Sequence, residues 1–206
     1  YNDSDIDAFR RDVEVDTVTG FIYGEYRPSN WYVNGVASYG RSDYKEKKFT
    51  LGFKIDDKYN ADTYSLQAIT GYDFKYVSPE IGARYYHIKR HSYDDSIGQK
   101  VSGSNMDLLR GVLGLRASHE FGMFKPEVYV GITYDIVNDK DGAIVSLPNG
   151  SSYAVDGKRL NRFGTEVNTN LTANLTDHAS VTVGYEGKFR KDYKDNTGLI
   201  IAKYAF

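Results

Sequence analysis

The sequence has no cysteine among its 206 residues, which excludes disulfide frameworks, thiolate catalysis and cysteine metal sites. It also has no run of 18 apolar residues, and its mean hydropathy is −0.54. A transmembrane helix is therefore excluded. A transmembrane β-barrel is still possible, because the strands of such a barrel are apolar on one face only.

Neither positive nor negative charge predominates in the sequence. The formal net charge is −2, and residues of both signs are spread along the chain. Without a basic surface we expect no nucleic-acid partner, and without an acidic block we expect no disordered tail. Few segments repeat apolar residues with the period of an amphipathic helix.

The length of the sequence is typical of one all-β domain. We therefore expect residues 1–206 to form a single domain.

Aromatic residues, in contrast, are abundant, with 19 tyrosines and 10 phenylalanines. Aromatic side chains at this density fit the core of a soluble β-sandwich. They fit equally well the two aromatic girdles at the membrane interfaces of a barrel. Composition alone leaves both interpretations open.

Alternation of apolar and polar residues recurs along the chain and predicts an all-β antiparallel fold. In the clearest segment, the odd positions from Phe163 to Leu175 are apolar or neutral, and the even positions from Gly164 to Asn174 are small or polar. Nine strands are predicted in this way: 13–27, 31–44, 59–76, 80–93, 106–121, 126–138, 159–176, 179–191 and 197–206.

The connections between these strands alternate between short and long. Tight turns are predicted at 28–30, 77–79, 122–125 and 176–178, and longer polar loops at 45–58, 94–105, 139–158 and 192–196. Outer-membrane barrels follow this rule, because their short turns face the periplasm and their long loops face outside. A soluble sandwich has no such requirement. The pattern therefore favours a transmembrane up-and-down β-barrel.

The number of strands leads to a further expectation. If the last strand ends in the periplasm, a nine-stranded chain begins outside, whereas bacterial barrels of one chain have an even number of strands. We therefore expect an odd number of N-terminal strands to be missing, with residues 1–11 as the remnant of an external loop. An unpaired edge at 13–27 would leave backbone groups unsatisfied in lipid, so a partner, detergent or the missing strands have to cover it.

The last strand carries a pattern of its own, with Gly198, Tyr204 and Phe206 at its end. This pattern resembles the outer-membrane β-signal, the terminal strand that the barrel-assembly machinery reads. An unpaired edge strand offers backbone groups for strand addition, and alternate aromatic residues make it recognisable.

Several segments together resemble the translocator domain of classical type V autotransporters, in order and over nearly the whole chain. They are DTVTGFIYGEY (16–26), WYVNGVASY (31–39), GYDF (71–74), PEIGARYY (79–86), GLR (114–116) and YEGKFR (185–190). The resemblance implies a 12-stranded barrel with a helix through its pore, of which about the last nine strands are present here. It also implies export of an N-terminal passenger across the outer membrane of a Gram-negative bacterium.

The same resemblance supplies the expected partners, which are outer-membrane lipid, the assembly machinery, the passenger and the pore helix. Some members of the family cleave the passenger inside the pore, but the linker asparagine of that reaction has no counterpart in this sequence. No enzymatic activity and no cofactor are therefore expected.

Charged residues on the polar faces of the strands are predicted to line the pore. A hydrated, charged wall would keep water around a passing polypeptide or hold a pore helix, and ion pairing inside any barrel lumen would place the same residues there. Arginine or lysine facing lipid at the midplane would cost about 2–4 kcal/mol. The predicted residues are Arg84, Arg110, Arg116, Glu120, Asp135, Glu166, Glu186, Lys188, Arg190 and Lys203.

An alternative is a complete small outer-membrane barrel of eight to ten strands that acts as an adhesin or a hydrolase. The four histidines, His87, His91, His119 and His178, raise the question of a catalytic triad or a metal site. Spacing alone supplies neither the geometry of a triad nor a ligand set. We therefore predict no catalytic, cofactor or metal-binding residue.

Overall fold

A computed structural model of the chain describes residues 2–8, 11–50, 53–157, 159–191 and 193–204. Ten strands form one antiparallel sheet, and each pairs with the next strand of that sheet along the chain. They are β1 (Asn2–Ala8), β2 (Arg11–Tyr26), β3 (Trp31–Thr50), β4 (Phe53–Tyr72), β5 (Val77–Arg90), β8 (Ser104–Ser118), β9 (Phe124–Asn138), β12 (Phe163–Asn174), β13 (Ala179–Arg190) and β14 (Tyr193–Tyr204).

Four short strands form a second sheet in the order β11, β10, β7, β6. They are β6 (Tyr93–Asp94), β7 (Lys100–Val101), β10 (Gly142–Ser146) and β11 (Ser152–Asp156). Because β7 pairs with β10, this sheet joins the loop after β5 to the loop after β9. Arg90 adds a second link, since its Nη1 donates to Asp141 Oδ2 at 2.9 Å.

The two faces of the main sheet differ in the side chains that they expose. On β9, Val130 and Ile132 are 53% and 44% exposed, whereas Tyr129, Thr133 and Asp135 are at most 3% exposed. Exposed apolar side chains beside buried polar ones reverse the pattern of a soluble sheet. This reversal is the one expected for strands with one face towards lipid.

The sheet is strongly curled. A single cleft is lined by Tyr23 of β2 and by Ala202, Lys203 and Tyr204 of β14, although seven strands lie between β2 and β14 in the sheet. Strands near opposite edges therefore approach each other across the concave side. The predicted all-β, up-and-down antiparallel class is confirmed. No helix in the described part of the chain is long and apolar enough to span a membrane.

Several predicted boundaries were wrong. The sheet has ten strands, because Asn2–Ala8 forms β1 and pairs with β2, where the sequence predicted a loop over 1–11. With ten strands in the sheet, an even total no longer requires an odd number of missing strands. The predicted turn at 77–79 lies instead at 73–76, because Val77 already belongs to β5.

The predicted loops also contain more regular structure than their polarity indicated. Most of 45–58 belongs to β3 and β4, which remain paired up to Thr50 and Phe53. The segments 94–105 and 139–158 contain the second sheet, and 192–196 lies largely in β14. These segments are rich in charged and small polar residues, and this composition indicated loops.

Candidate functional site: the charged inner face

The concave face of the sheet carries a network of ion pairs. Arg84 lies on β5 and Glu166 on β12, with β8 and β9 between them. Three strand spacings amount to about 14 Å along the sheet, yet Arg84 Nη1 lies 2.7 and 2.8 Å from the two carboxylate oxygens of Glu166. Such a contact is possible only across the inside of a curved sheet, so both side chains point inward.

Gln67 of β4 extends this contact, because the Nε of Arg84 donates to Gln67 Oε1 at 2.7 Å. The guanidinium therefore connects strands on both sides of its own. Glu166 is only 3% exposed, and a buried carboxylate is stable only when it is paired and hydrogen-bonded. The pair therefore fixes the curvature of the middle of the sheet.

Asp135 is the centre of a second cluster and is 1% exposed. Its Oδ1 accepts from Arg110 Nε at 2.7 Å and from Arg190 Nη2 at 3.1 Å, and Arg190 Nη1 donates to Oδ2. A β-bulge lies beside it, because Arg110 pairs with Asp135 while Leu109 pairs with Val137. The bulge leaves Ile136 without a partner in this register and keeps Asp135 opposite Arg110 on the inner face.

Glu80 organises a third cluster nearer the end with the short turns. It accepts from Arg116 Nε and from the Tyr32 hydroxyl, both at 2.6 Å. Arg116 also donates to Glu127 and lies 5.3 Å from the centre of the Tyr129 ring. Four strands, β3, β5, β8 and β9, are joined by these contacts.

The side chains of Tyr129 and Tyr32 lie against glycines, which are Gly114 of β8 and Gly131 of its own strand for Tyr129 and Gly71 of β4 for Tyr32. A Cβ added at Gly114 or at Gly131 would come within 2.5 Å of the Tyr129 side chain, and one at Gly71 within 2.5 Å of Tyr32. Both rings are only 2% exposed. Glycine is required at these positions because no other residue leaves space for the ring.

Most of the remaining predicted inner-face residues have other ion-pair partners, although Lys188 lies directly opposite Glu166 in the register. Glu186 and Lys188 of β13 pair with each other at 2.8 Å. Lys203 is exposed on the edge strand β14. Glu120 lies in the turn between β8 and β9, where it approaches Lys125 to 3.5 Å, so the structure does not bring it to the strand wall.

The sequence prediction missed five inner-face residues that the structure ties into the clusters, namely Tyr32, Gln67, Glu80, Glu127 and Tyr129. All five share the strand parity of the residues that were chosen. Strand parity was thus sufficient to place Gln67, Glu80 and Glu127 on the inner face. The two tyrosines were hidden because aromatic residues were expected on the lipid face.

At the end with the long loops, the inner face carries a column of stacked tyrosines. The ring centres of Tyr44 and Tyr59 lie 4.7 Å apart, and those of Tyr59 and Tyr93 lie 4.9 Å apart. Burial raises the pKa of the nearby Asp57 carboxyl above its ordinary value, although Lys48 Nζ at 2.6 Å acts in the opposite direction. Burial and the charge of Asp57 raise the pKa of Tyr93 to about 12.

The family model of the autotransporter beta-domain matches residues 1–186 of this chain. The chain belongs to this family. As a member, it is an outer-membrane translocator of Gram-negative bacteria that serves the export of its passenger. Among curated proteins, none matches the chain.

Three solved structures of autotransporter domains are similar to this translocator domain. The translocator domain of NalP from Neisseria meningitidis shares 16% identity at a TM-score of 0.79, over 96% of this chain and 68% of that one. The beta domain of BrkA from Bordetella shares 15% identity at a TM-score of 0.61, over 99% of this chain and 87% of that one. The transport unit of AIDA-I from Escherichia coli shares 12% identity at a TM-score of 0.52, over 95% of this chain and 84% of that one. At these identities the likeness concerns the fold.

The last strand of the translocator domain presents part of the predicted β-signal on its outward face. Gly198 pairs with Tyr185 and Tyr204 with Ala179, so both lie on the same face of β14 as Ile200, which is 78% exposed. Phe206 lies outside the described residues.

Two of the histidines of the translocator domain are bound to carboxylates at the outer ends of the strands. His87 Nδ1 lies 2.8 Å from Asp107 Oδ1, and His91 Nε2 lies 2.7 Å from Asp62 Oδ2. Within the described ranges, no serine hydroxyl bonds to either ring, and no group of three or more His, Cys, Asp or Glu residues is placed to hold a metal ion.

Proposed function

We propose that the charged inner face is the wall of the conduit through which, or alongside which, the passenger crosses the outer membrane. The observation that supports this most is the Arg84–Glu166 contact, which turns the charged side chains of β5 and β12 towards one interior. A wall of paired charges holds water, and an extended polypeptide needs water for the backbone groups that it has not yet paired.

The wall also suits a pore helix. A helix that lies in the lumen exposes polar side chains to it, and paired arginines and carboxylates offer donors and acceptors of both signs. The edges of β2 and β14 need backbone partners in lipid, and we propose that further strands of the same barrel supply them. We assign no catalytic role to the domain.

The wall is tested with the Glu186–Lys188 pair, which is about one-third exposed and can be removed without burying a lone charge. Glu186→Leu with Lys188→Leu replaces wetted surface by apolar surface, and we expect passenger export to slow several-fold. Surface exposure of the passenger, followed over time with added protease, measures the rate. The amount of heat-modifiable barrel on gels shows that assembly is intact.

A control removes an exposed ion pair of the outer loops, with Lys140→Leu and Asp156→Leu. This variant is expected to export at the normal rate. Glu186→Gln with Lys188→Gln keeps the wall polar and should also export normally. Normal export by the double leucine variant at Glu186 and Lys188 would contradict the proposed wall.

We further propose that Gly198, Tyr204 and Phe206 form the signal read by the assembly machinery. Gly198 and Tyr204 share one face of the edge strand β14, which favours recognition by strand addition. Tyr204→Ala with Phe206→Ala should lower the fraction of folded protein in the outer membrane several-fold. Lys203→Ala, on the opposite face, should leave it unchanged, and equal losses in both variants would contradict the assignment.

A further inference from the structure

The second sheet is anchored to the inner face of the main sheet at the end with the long loops. Tyr59 of β4 has the strand parity of the inward-facing Gln67, and its ring centre lies 4.9 Å from that of Tyr93 in β6. Arg90 of β5 has the parity of the inward-facing Arg84 and reaches the loop before β10. Both contacts start from the inside of the curved sheet, so the second sheet lies over the outer mouth of the interior.

Arg90 fastens the second sheet at several points. Besides its bond to Asp141, its Nη2 donates to the carbonyl oxygens of Gly142 at 3.1 Å and of Ser102 at 3.5 Å. Ser104 of β8 supports the same carboxylate, because its Oγ donates to Asp141 Oδ1 at 2.7 Å. One guanidinium from the inner face therefore holds the loop after β5 and the loop after β9 together.

One row of side chains crosses all four strands of the second sheet and faces the mouth. Its members are directly opposite each other in the register, namely Tyr93, Val101, Val145 and Tyr153. Side chains in such positions share one face of the sheet. This is the face on which Tyr93 stacks on the inner wall, and the two valines are at most 9% exposed. The neighbouring row faces outward and is polar, with Asp94, Lys100, Ser146 and Ser152.

The second sheet is held by much shorter ladders than the wall of the barrel. β6 and β7 have two residues each, and β7 pairs with β10 through two residue pairs. In the wall, β3 and β4 have 20 residues each and are paired along their whole length. Short ladders with few hydrogen bonds open locally at a small part of the global free energy of unfolding. The second sheet can therefore detach while the wall stays folded.

We propose that the second sheet is a lid over the outer mouth of the conduit, with Arg90 as its latch, and that the lid opens when the passenger leaves. This inference rests on the proposed conduit. A polypeptide that leaves through the interior has to pass the place that the second sheet occupies. While the lid is closed, its valines are shielded from water. The latch is released at low cost, because the Asp141 side chain is 40% exposed and water can replace the guanidinium.

The lid is tested by locking it to the wall in the full-length protein, which is straightforward because this chain has no cysteine. Asp56→Cys with Ser96→Cys locks the loop after β5 to β4, since the amide of Ser96 donates to the carbonyl oxygen of Asp56 at 3.2 Å. Ser104→Cys with Asp141→Cys locks the loop after β9 to β8. Each disulfide should slow export of the passenger several-fold, and a reductant should restore the normal rate. Protease accessibility of the passenger measures export, and non-reducing gels give the locked fraction.

A matched control places a disulfide inside the lid. Ser146→Cys with Ser152→Cys joins β10 to β11, where the two residues are directly opposite each other, and leaves the lid unattached to the wall. This variant should export at the normal rate with and without reductant. All variants are compared at equal fractions of heat-modifiable, folded protein.

A second measurement follows the lid without any passenger export. Val145→Cys introduces a single thiol at a position that is 6% exposed, so a membrane-impermeant maleimide should label it only when the lid opens. Adding Arg90→Gln releases the latch and should raise the labelling rate several-fold. Adding Arg159→Gln changes an exposed arginine of the same loop and should leave the rate unchanged.

Three results would overturn the lid. The first is normal export by both locked variants when their disulfides are complete. The second is equally slow export by the control with the disulfide between β10 and β11, which would show a general effect of cross-linking. The third is a labelling rate at position 145 that Arg90→Gln leaves unchanged. The double leucine variant at Glu186 and Lys188 changes no residue of the lid, so its slow export beside normal export by the locked variants would reject the lid and retain the wall.

Discussion

Arg84 and Glu166 form an ion pair although β8 and β9 separate the strands that carry them. The residues are 82 positions apart in the chain, and their side chains are 14% and 4% exposed. The contact therefore depends on the curvature of the whole sheet and not on the pairing within one hairpin. It also identifies the concave face as the charged one.

Glu166→Gln should destabilise the domain by about 3 kcal/mol, because it leaves the Arg84 guanidinium buried without its counter-charge. Urea unfolding in detergent micelles, followed by circular dichroism, measures the loss. Glu186→Gln is the matched control, since its partner Lys188 is 36% exposed, and should cost at most about 1 kcal/mol. Equal costs for the two variants would refute a structural role of the Arg84–Glu166 pair.

Gly114→Ala should lower the free energy of unfolding by about 1–3 kcal/mol, because the new methyl group would lie 2.5 Å from the Tyr129 ring and force the ring from its place. Gly20→Ala is the control, since a Cβ at Gly20 meets nothing within 4 Å. Adding Tyr129→Ala to Gly114→Ala should make the two costs less than additive in a double-mutant cycle. Strict additivity would show that the two residues do not interact.

Gly122→Ala tests the turn between β8 and β9. Gly122 has a φ of 58°, which side chains of L-residues rarely adopt, and no atom lies within 4 Å of its Cβ position. The free energy of unfolding should therefore fall by about 1 kcal/mol, and the backbone conformation is the only cause of this loss. Gly122→Asn should be milder, because asparagine tolerates this region, and urea midpoints that rank the two variants in the opposite order would argue against this cause.

The outer tip of β3 and β4 should become more stable as the pH falls. Burial raises the pKa of Asp57 above its ordinary value of 3.8, so the folded tip binds this proton more tightly than the unfolded one. The stabilisation is complete below pH 3.8 and is lost as the pH rises through the raised pKa. Amide hydrogen exchange of the tip, corrected for intrinsic rates, measures it.

Asp57→Asn should remove this pH dependence. At pH 7 the variant tip should be better protected than that of the unaltered protein, and near pH 3 the two should be alike. Protection that increases with pH in the unaltered protein would show that the ion pair with Lys48 outweighs burial.

Much of the fold followed from alternation. The apolar and polar positions of 163–175 and 179–191 were assigned to the correct faces, and the ends of β12 and β13 differ from the predicted ends by at most four residues. Long loops were harder, because Lys45 to Lys58 is rich in charged residues and was predicted as a loop, whereas the pairing of β3 with β4 shows that most of it is strand. The strand β1 was missed for the same reason.

The candidate site was only half visible in the sequence. Parity placed Arg84, Arg110 and Glu166 on one face, because successive side chains of a strand point to opposite sides. Strand parity does not show that Arg84 forms its ion pair with Glu166 and not with a carboxylate that is nearer in the sequence. The Tyr129 ring over Gly114 was likewise invisible, because the contact depends on the register between β8 and β9.

The sequence by itself determined which side of each strand faces lipid and which faces the interior, since a membrane accepts charges on one face only. The tertiary structure alone decided which charges meet. Curvature and register set these distances, and both depend on how strands far apart in the chain lie in one sheet. For that reason Glu166 has its partner Arg84 on the inner face, and Asp141 has its partner Arg90 at the second sheet.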